Sequence, residues 1–165
     1  MQTFPVPTYA KVFQYQWQMT AAVAAKALGT LQSFVQTNIP PQLGLEINLG
    51  RGNTNGQVSF ELSGAWYGAQ SAMTSALQPL LVKLPTPSSS TLSGNGTYID
   101  SVSVLGGKGL LNTHSTPDST DTFYAKSLMI PSLNANAWTS FTKYLATAGF
   151  TTDLVSVRSF PTPLI

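Results

Sequence analysis

Cysteine is absent from the 165 residues, and charge is scarce: eight Lys and Arg against six Asp and Glu, for a net charge of +2. The missing thiols exclude disulfides, thiol nucleophiles and sulfur-ligated zinc. The basic residues stand singly, so no cationic stripe is available to follow a nucleic acid backbone. No apolar run approaches the ~20 residues of a membrane-spanning helix. There is one histidine, His114, in a polar stretch, and without a positioned partner it makes no acid–base pair. No Gly-x-Ser-x-Gly elbow, His-Glu-x-x-His pair or acidic metal cluster occurs. Gly106-Gly107-Lys108-Gly109 has the wrong spacing for a phosphate loop, and Leu110 stands where the magnesium-binding hydroxyl belongs. No residue is therefore assigned a catalytic, cofactor-binding or metal-binding role.

Low charge here is not disorder: the chain is 42% hydrophobic and 8% charged. Disordered chains combine low hydrophobicity with high net charge, the reverse of both. A chain of this length buries roughly 70% of its unfolded surface, enough for one core without staples. We expect residues 1–165 to form a single domain. A surface of Ser, Thr, Asn, Gln and Gly, with the sequon Asn95-Gly96-Thr97, points to a secreted glycoprotein glycosylated at Asn95. Met1–Pro7 lacks the apolar centre of a signal peptide, so a secreted source implies a mature or internal piece.

Periodicity outlines the elements. Phe13, Tyr15 and Trp17 alternate with glutamines, as on a half-buried strand. Val23, Ala27, Leu31, Phe34 and Val35 recur at helical spacing over about 20–36, with Thr20 as N-cap and Pro40-Pro41 beyond the end. Leu43, Leu45, Ile47 and Leu49, then Val58, Phe60 and Leu62, read as antiparallel strands joined across residues 51–56. A helix follows from about Ser71, with Pro79 as a kink or restart point. Residues 85–96 read as a surface loop, 97–105 as extended structure or a short helix, 106–121 as a long loop and 122–130 as a strand. A helix over 133–148, with Trp138, Phe141, Tyr144 and Leu145 on one face, and a strand over 154–159 complete the chain. Alternating strands favour an α+β fold: an antiparallel sheet with helices packed on one face.

Two of the six carboxylates, Glu46 and Glu61, fall inside strands. If Ile47 pairs with Phe60, the glutamates face each other, which like charges disfavour; a shift of two residues places Ser59 or Ser63 opposite Glu46. The glutamates are then either solvated side chains or part of a face that accepts hydrogen bonds from a hydroxyl-rich ligand. A glycoside-hydrolysing carboxylate pair is the third reading. Trp66, Tyr67, Tyr98 and Tyr124 lie near strand ends or loops, where an aromatic face packs either on the core or on a sugar.

The segments FVQTNIPPQLGLEINLG, FELSGAWYGAQSAMTSALQPLL and DTFYAKSLMIPSL, in this order between about Val12 and Phe160, resemble the substrate domain of fungal FAD-linked oxidases of the berberine-bridge-enzyme type, the oligosaccharide-oxidising members above all. The resemblance implies an antiparallel sheet whose open face closes over a flavin. It implies that Glu46, in the Leu-Glu-Ile-Asn position, contributes to a carbohydrate groove and that Tyr124 lines the same region. Tyr67 and Glu61 are the further substrate-binding candidates. The family holds FAD through a separate domain with histidine and cysteine attachments, which these residues lack; no cofactor is expected on this chain. The resulting expectation is an isolated carbohydrate-recognising domain of oxidase ancestry, without flavin oxidation of its own. The alternatives are a secreted fungal interaction or immunomodulatory protein that forms a homodimer through the uncovered sheet face, and one fragment of a nicked oligosaccharide oxidase. Expected partners are an oligosaccharide or glycan, with no nucleic acid and no membrane.

Overall fold

The computed structural model describes residues 5–37, 39–106, 132–147 and 155–159, the last stretch by its backbone. Along these residues the elements run β1 (Lys11–Thr20), α1 (Ala21–Val35), β2 (Leu43–Arg51), β3 (Gln57–Trp66), α2 (Gln70–Leu81), β4 (Ser89–Ser93), α3 (Tyr98–Leu105), α4 (Ala135–Thr147) and β5 (Val155–Ser159). The strands form one sheet in the order β4-β1-β3-β2-β5, every neighbouring pair antiparallel.

Local chemistry explains the element boundaries. Thr20 is extended, and its hydroxyl accepts from the Val23 N–H at 3.4 Å, so β1 passes directly into α1. The β2–β3 turn is closed by Gly52 N–H donating to Gln57 O at 2.8 Å. Gly56 in the same turn adopts φ +84°, a conformation open mainly to glycine. Asn134 caps α4 by accepting from the Ala137 N–H at 2.9 Å.

Alternation sorts the strands into two faces. One carries Phe13, Trp17, Met19, Leu43, Leu45, Ile47, Leu49, Val58, Phe60, Leu62 and Trp66, all buried in one core with Ala24, Leu28 and Leu31 of α1, Met73, Leu77 and Leu80 of α2, and Trp138 and Leu145 of α4. Trp17 meets Phe60 edge to face, with centroids 5.7 Å apart. Each large apolar side chain in this core contributes about 1.5–3 kcal/mol of transfer free energy. The sheet is thus covered by α1, α2 and α4 on this side. At one end of the other side α3 packs against β1, where the cross-strand pair Val12 and Ala65 is buried outside the main core.

Several details differ from the sequence reading. Val23 and Tyr144, assigned there to apolar faces, are exposed; Ala24, Leu28 and Thr142 turn inward instead. The stretch read as loop over 85–96 contains β4. Ser-Ser-Thr-Leu-Ser has no apolar alternation, and its pairing comes from the free edge of β1, with Val12 opposite Ser93 and Gln16 opposite Ser89. Residues 97–105 resolve as the short helix, because Thr97 and Asp100 cap it. The Asp100 N–H donates to Thr97 Oγ1 at 3.2 Å, and that hydroxyl donates to Asp100 Oδ2 at 2.9 Å. Pro79 does not split α2; it stands two residues before the last helical position. The strand read over 122–130 and the loop holding His114 lie outside the described residues.

Candidate functional site

The second sheet face is polar along its centre. By register it forms two adjacent rows. One runs Thr91, Gln14, Ser63 and Glu46, and the next runs Ser89, Gln16, Glu61 and Asn48. On β5 the register partners are Arg158 for Glu46 and Ser156 for Asn48. Ser59, Gln57 and Gln18 extend the polar surface toward the hairpin.

The register settles the alternatives left by the sequence. Ile47 pairs with Leu62, Glu46 with Ser63 and Glu61 with Asn48, so the two glutamates are diagonal neighbours on β2 and β3. Diagonal positions lie about 7–8 Å apart, which relieves the repulsion that direct pairing would impose. The directly opposed pair that suggested glycoside hydrolysis is not formed.

The Glu61 row is a directed chain of hydrogen bonds. The Ser89 hydroxyl donates to Gln16 Oε1 at 3.1 Å, and Gln16 Nε2 donates to Glu61 Oε2 at 2.9 Å. Holding the amide oxygen of Gln16 from one side presents its NH₂ to the carboxylate, so Glu61 is fixed in orientation with acceptor capacity left over. Beside it, Asn48 Oδ1 is buried without a hydrogen-bond partner. A buried acceptor left unpaired costs about 1–3 kcal/mol. Glu46 is half-buried on the same face, away from the helical core.

An aromatic pair closes one end. Tyr67 N–H donates to Gln42 O at 2.9 Å, extending the β2–β3 ladder by one step. Alternation places Tyr67 on the side of Ser63 and Ala65. Its ring lies 6.2 Å from that of Tyr98 at the start of α3. Tyr67 stands four positions beyond Ser63, about 13 Å along β3. The structure therefore brings Glu46, Glu61 and Tyr67 to one face and adds Gln16, Asn48 and Tyr98. In the sequence Tyr98 is marked only as an aromatic near a loop, and Gln16 and Asn48 carry no signal, because nothing distinguishes a lone amide until its cross-strand neighbour is known. Trp66 faces the core and donates its indole N–H to Ala69 O at 3.0 Å. Tyr124 lies outside the described residues.

Asn95 is exposed in the turn between β4 and α3, flanked by Gly94 and Gly96 at φ +90° and +91°. Thr97 of its sequon serves as the helix cap. Among the described residues no group of three or more metal-ligating side chains occurs, and no helix is long and apolar enough to cross a membrane.

No protein-family model and no curated protein matches the chain. Solved structures do. A chitooligosaccharide oxidase aligns with a TM-score of 0.74 at 25% identity, over 90% of this chain and 30% of that one. FgChi7B aligns with a TM-score of 0.72 at 26% identity, over 87% of this chain and 28% of that one. Glucooligosaccharide oxidase from Acremonium strictum shares the fold, with a TM-score of 0.73 at 21% identity over 93% of this chain and 32% of that one. The chain thus spans about 30% of the length of these proteins. The Acremonium enzyme carries a 6-S-cysteinyl, 8α-N1-histidyl FAD. Without a cysteine, these 165 residues do not fit the thioether half of that attachment, and no redox step is derived from them. The chain is similar, over nearly its whole length, to one part of the FAD-linked oligosaccharide oxidases, the family type to which its sequence segments pointed.

Proposed function

We propose that the polar sheet face is a carbohydrate-binding surface of oxidase ancestry, and that these residues recognise sugar without oxidising it. The observation that carries the reading is the face itself. In a fold shared with a chitooligosaccharide oxidase, it sets an oriented carboxylate, a second carboxylate and amide and hydroxyl side chains in two adjacent rows, with a tyrosine pair about 13 Å further along β3. Carboxylates and amide oxygens accept from sugar hydroxyls, and an aromatic ring offers a flat apolar surface with a polar edge. The described central side chains are polar, so this face favours a hydroxylated guest over a dimer formed by hydrophobic burial. Secretion, with a glycan on exposed Asn95, is part of the same reading.

Calorimetric titration with chito- and gluco-oligosaccharides tests it, beside an ultraviolet–visible spectrum of the same sample. The expected result is saturable binding, no flavin absorbance, and about tenfold weaker binding for Glu46→Gln, the scale of one hydrogen bond to a charged group. No binding of either series, or equal binding by Glu46→Gln, contradicts the site. A flavin spectrum accompanied by sugar oxidation contradicts the non-oxidising half.

A further inference from the structure

Asparagine followed by glycine occurs at Asn55-Gly56 in the β2–β3 turn and at Asn95-Gly96 between β4 and α3. This pair of residues carries a reaction of its own. The glycine nitrogen attacks the asparagine Cγ, closing a five-membered ring, and glycine has no side chain to obstruct the approach. The attacking nitrogen must shed its proton, so an N–H already held in a hydrogen bond is the poorer nucleophile. Both asparagines are exposed, so access to water does not separate them. Their glycine nitrogens do.

Gly56 N–H donates to Ala146 O at 3.3 Å, which ties the β2–β3 turn to α4. Among the described residues no acceptor takes the Gly96 N–H. The turn around Asn95 is anchored through carbonyls instead. Gly94 O accepts from Lys11 Nζ at 2.6 Å, and Gly96 O accepts from the Ala10 N–H at 2.9 Å. Gly94 and Gly96 both have positive φ, so Asn95 sits between two residues of wide backbone freedom. The attacking nitrogen is thus unengaged between two fixed oxygens.

We propose that Asn95 is a site of spontaneous self-modification in the folded chain, and that its conversion unseats the cap of α3. Gly96 N bonds to Asn95 Cγ, the Cγ–Nδ2 bond breaks, and the Gly96 proton leaves with Nδ2 as ammonia. Water then opens the imide and is the sole co-reactant. Attack at Cγ gives aspartate. Attack at the main-chain carbonyl gives isoaspartate, whose main chain runs through Cβ and Cγ and is one methylene longer. Gly96 has little room to absorb that length, since a Cβ added to it would stand 3.1 Å from Tyr9 Cε2. The extra methylene falls two residues before Thr97, whose hydroxyl caps α3. Isoaspartate therefore displaces the cap, and with it the seat of Tyr98 against Tyr67. The inference concerns chains with no glycan on Asn95 and does not rest on sugar binding.

Ageing the unglycosylated full chain in warm, mildly alkaline H₂¹⁸O, followed by peptide mapping with electron-transfer fragmentation, tests the assignment. In the folded chain Asn95 is expected to take up solvent oxygen about tenfold faster than Asn55, the scale of the one hydrogen bond that holds the Gly56 nitrogen. In urea the two should convert at similar rates. The isoaspartate form, separated from unaged chain, should lose hydrogen-exchange protection at Asp100 and Ser101, whose N–H groups are held by Thr97. Asn95→Gln, which would have to close a larger and slower ring, should take up no oxygen at position 95 and keep that protection through the same ageing. Conversion of Asn95 no faster than that of Asn55 in the folded chain overturns the site. Unchanged protection in the isoaspartate form, or equal loss in aged Asn95→Gln, overturns the link to α3.

Discussion

The two faces of the central sheet are built from the same strands, one residue out of phase, and they obey different rules. Leu62 is fully buried with Ile47 as its cross-strand partner; its neighbour Ser63, on the other side, faces Glu46. On the helical side, volume and shape decide which residue is tolerated, because protein interiors are close-packed. On the polar side the same backbone presents hydrogen-bonding groups whose partners are cross-strand side chains or a guest. The helical face holds the chain together, which leaves the other face open to chemical choice.

Mutations at adjacent positions should separate the faces most sharply. Leu62→Ala is expected to cost about 2–5 kcal/mol of unfolding free energy, the range for a leucine lost from a packed core. Ser63→Ala should stay within about 0.5 kcal/mol, and paired urea denaturations measure both. Comparable losses at 62 and 63 would break the comparison. Gly64, on the next strand position, probes the helical side from the backbone. A Cβ there would stand 2.1 Å from Gly44 O and 2.8 Å from Phe13 Cζ. Because the nearest obstacle is main chain, Gly64→Ala should destabilise by about 3 kcal/mol, the upper end of ordinary overpacking, seen as an earlier denaturation midpoint.

The end of the polar side carries a smaller, local term. Thr97→Ala removes the α3 cap and should cost about 1 kcal/mol. Thr97→Ser, which keeps the hydroxyl, should restore most of it; failure of that rescue would show that the cap is not the cause. The smallest effect is pH-dependent and belongs to the helical side near its β4 margin. Burial raises the Tyr15 phenol above its ordinary value of 10.0. The folded chain therefore holds that proton at pH values where the unfolded chain has released it. This contribution is fully present below pH ~10 and is lost as pH rises through the folded pKa. Thermal melts across that range should show a decline that Tyr15→Phe reduces.

Much of the helical face was legible in advance. Period-two apolar residues marked β1, β2 and β3, and Thr20 and Pro40-Pro41 bounded α1, because burial of one face imposes a pattern on each strand separately. The Thr97-x-x-Asp100 signature of α3 was also present, although the segment read equally well as extended. β4 was not legible. Its five residues carry no apolar rhythm, and what makes them a strand is the edge of β1. The polar face was half legible: Glu46, Glu61 and Tyr67 stood out as carboxylates and an aromatic, whereas Gln16 and Asn48 acquire meaning from the neighbours across them.

The sequence by itself determined which residues lie on each side of a strand, since alternation is a property of the local backbone and solvent selects the polar half. Tertiary structure alone decided which residues meet. Glu46 opposite Ser63, Glu61 beside Gln16 and Asn48, and Tyr67 against Tyr98 all depend on register and helix docking. A two-residue slip leaves every strand's alternation intact while changing every cross-strand pair, so the pattern within one strand cannot choose between registers.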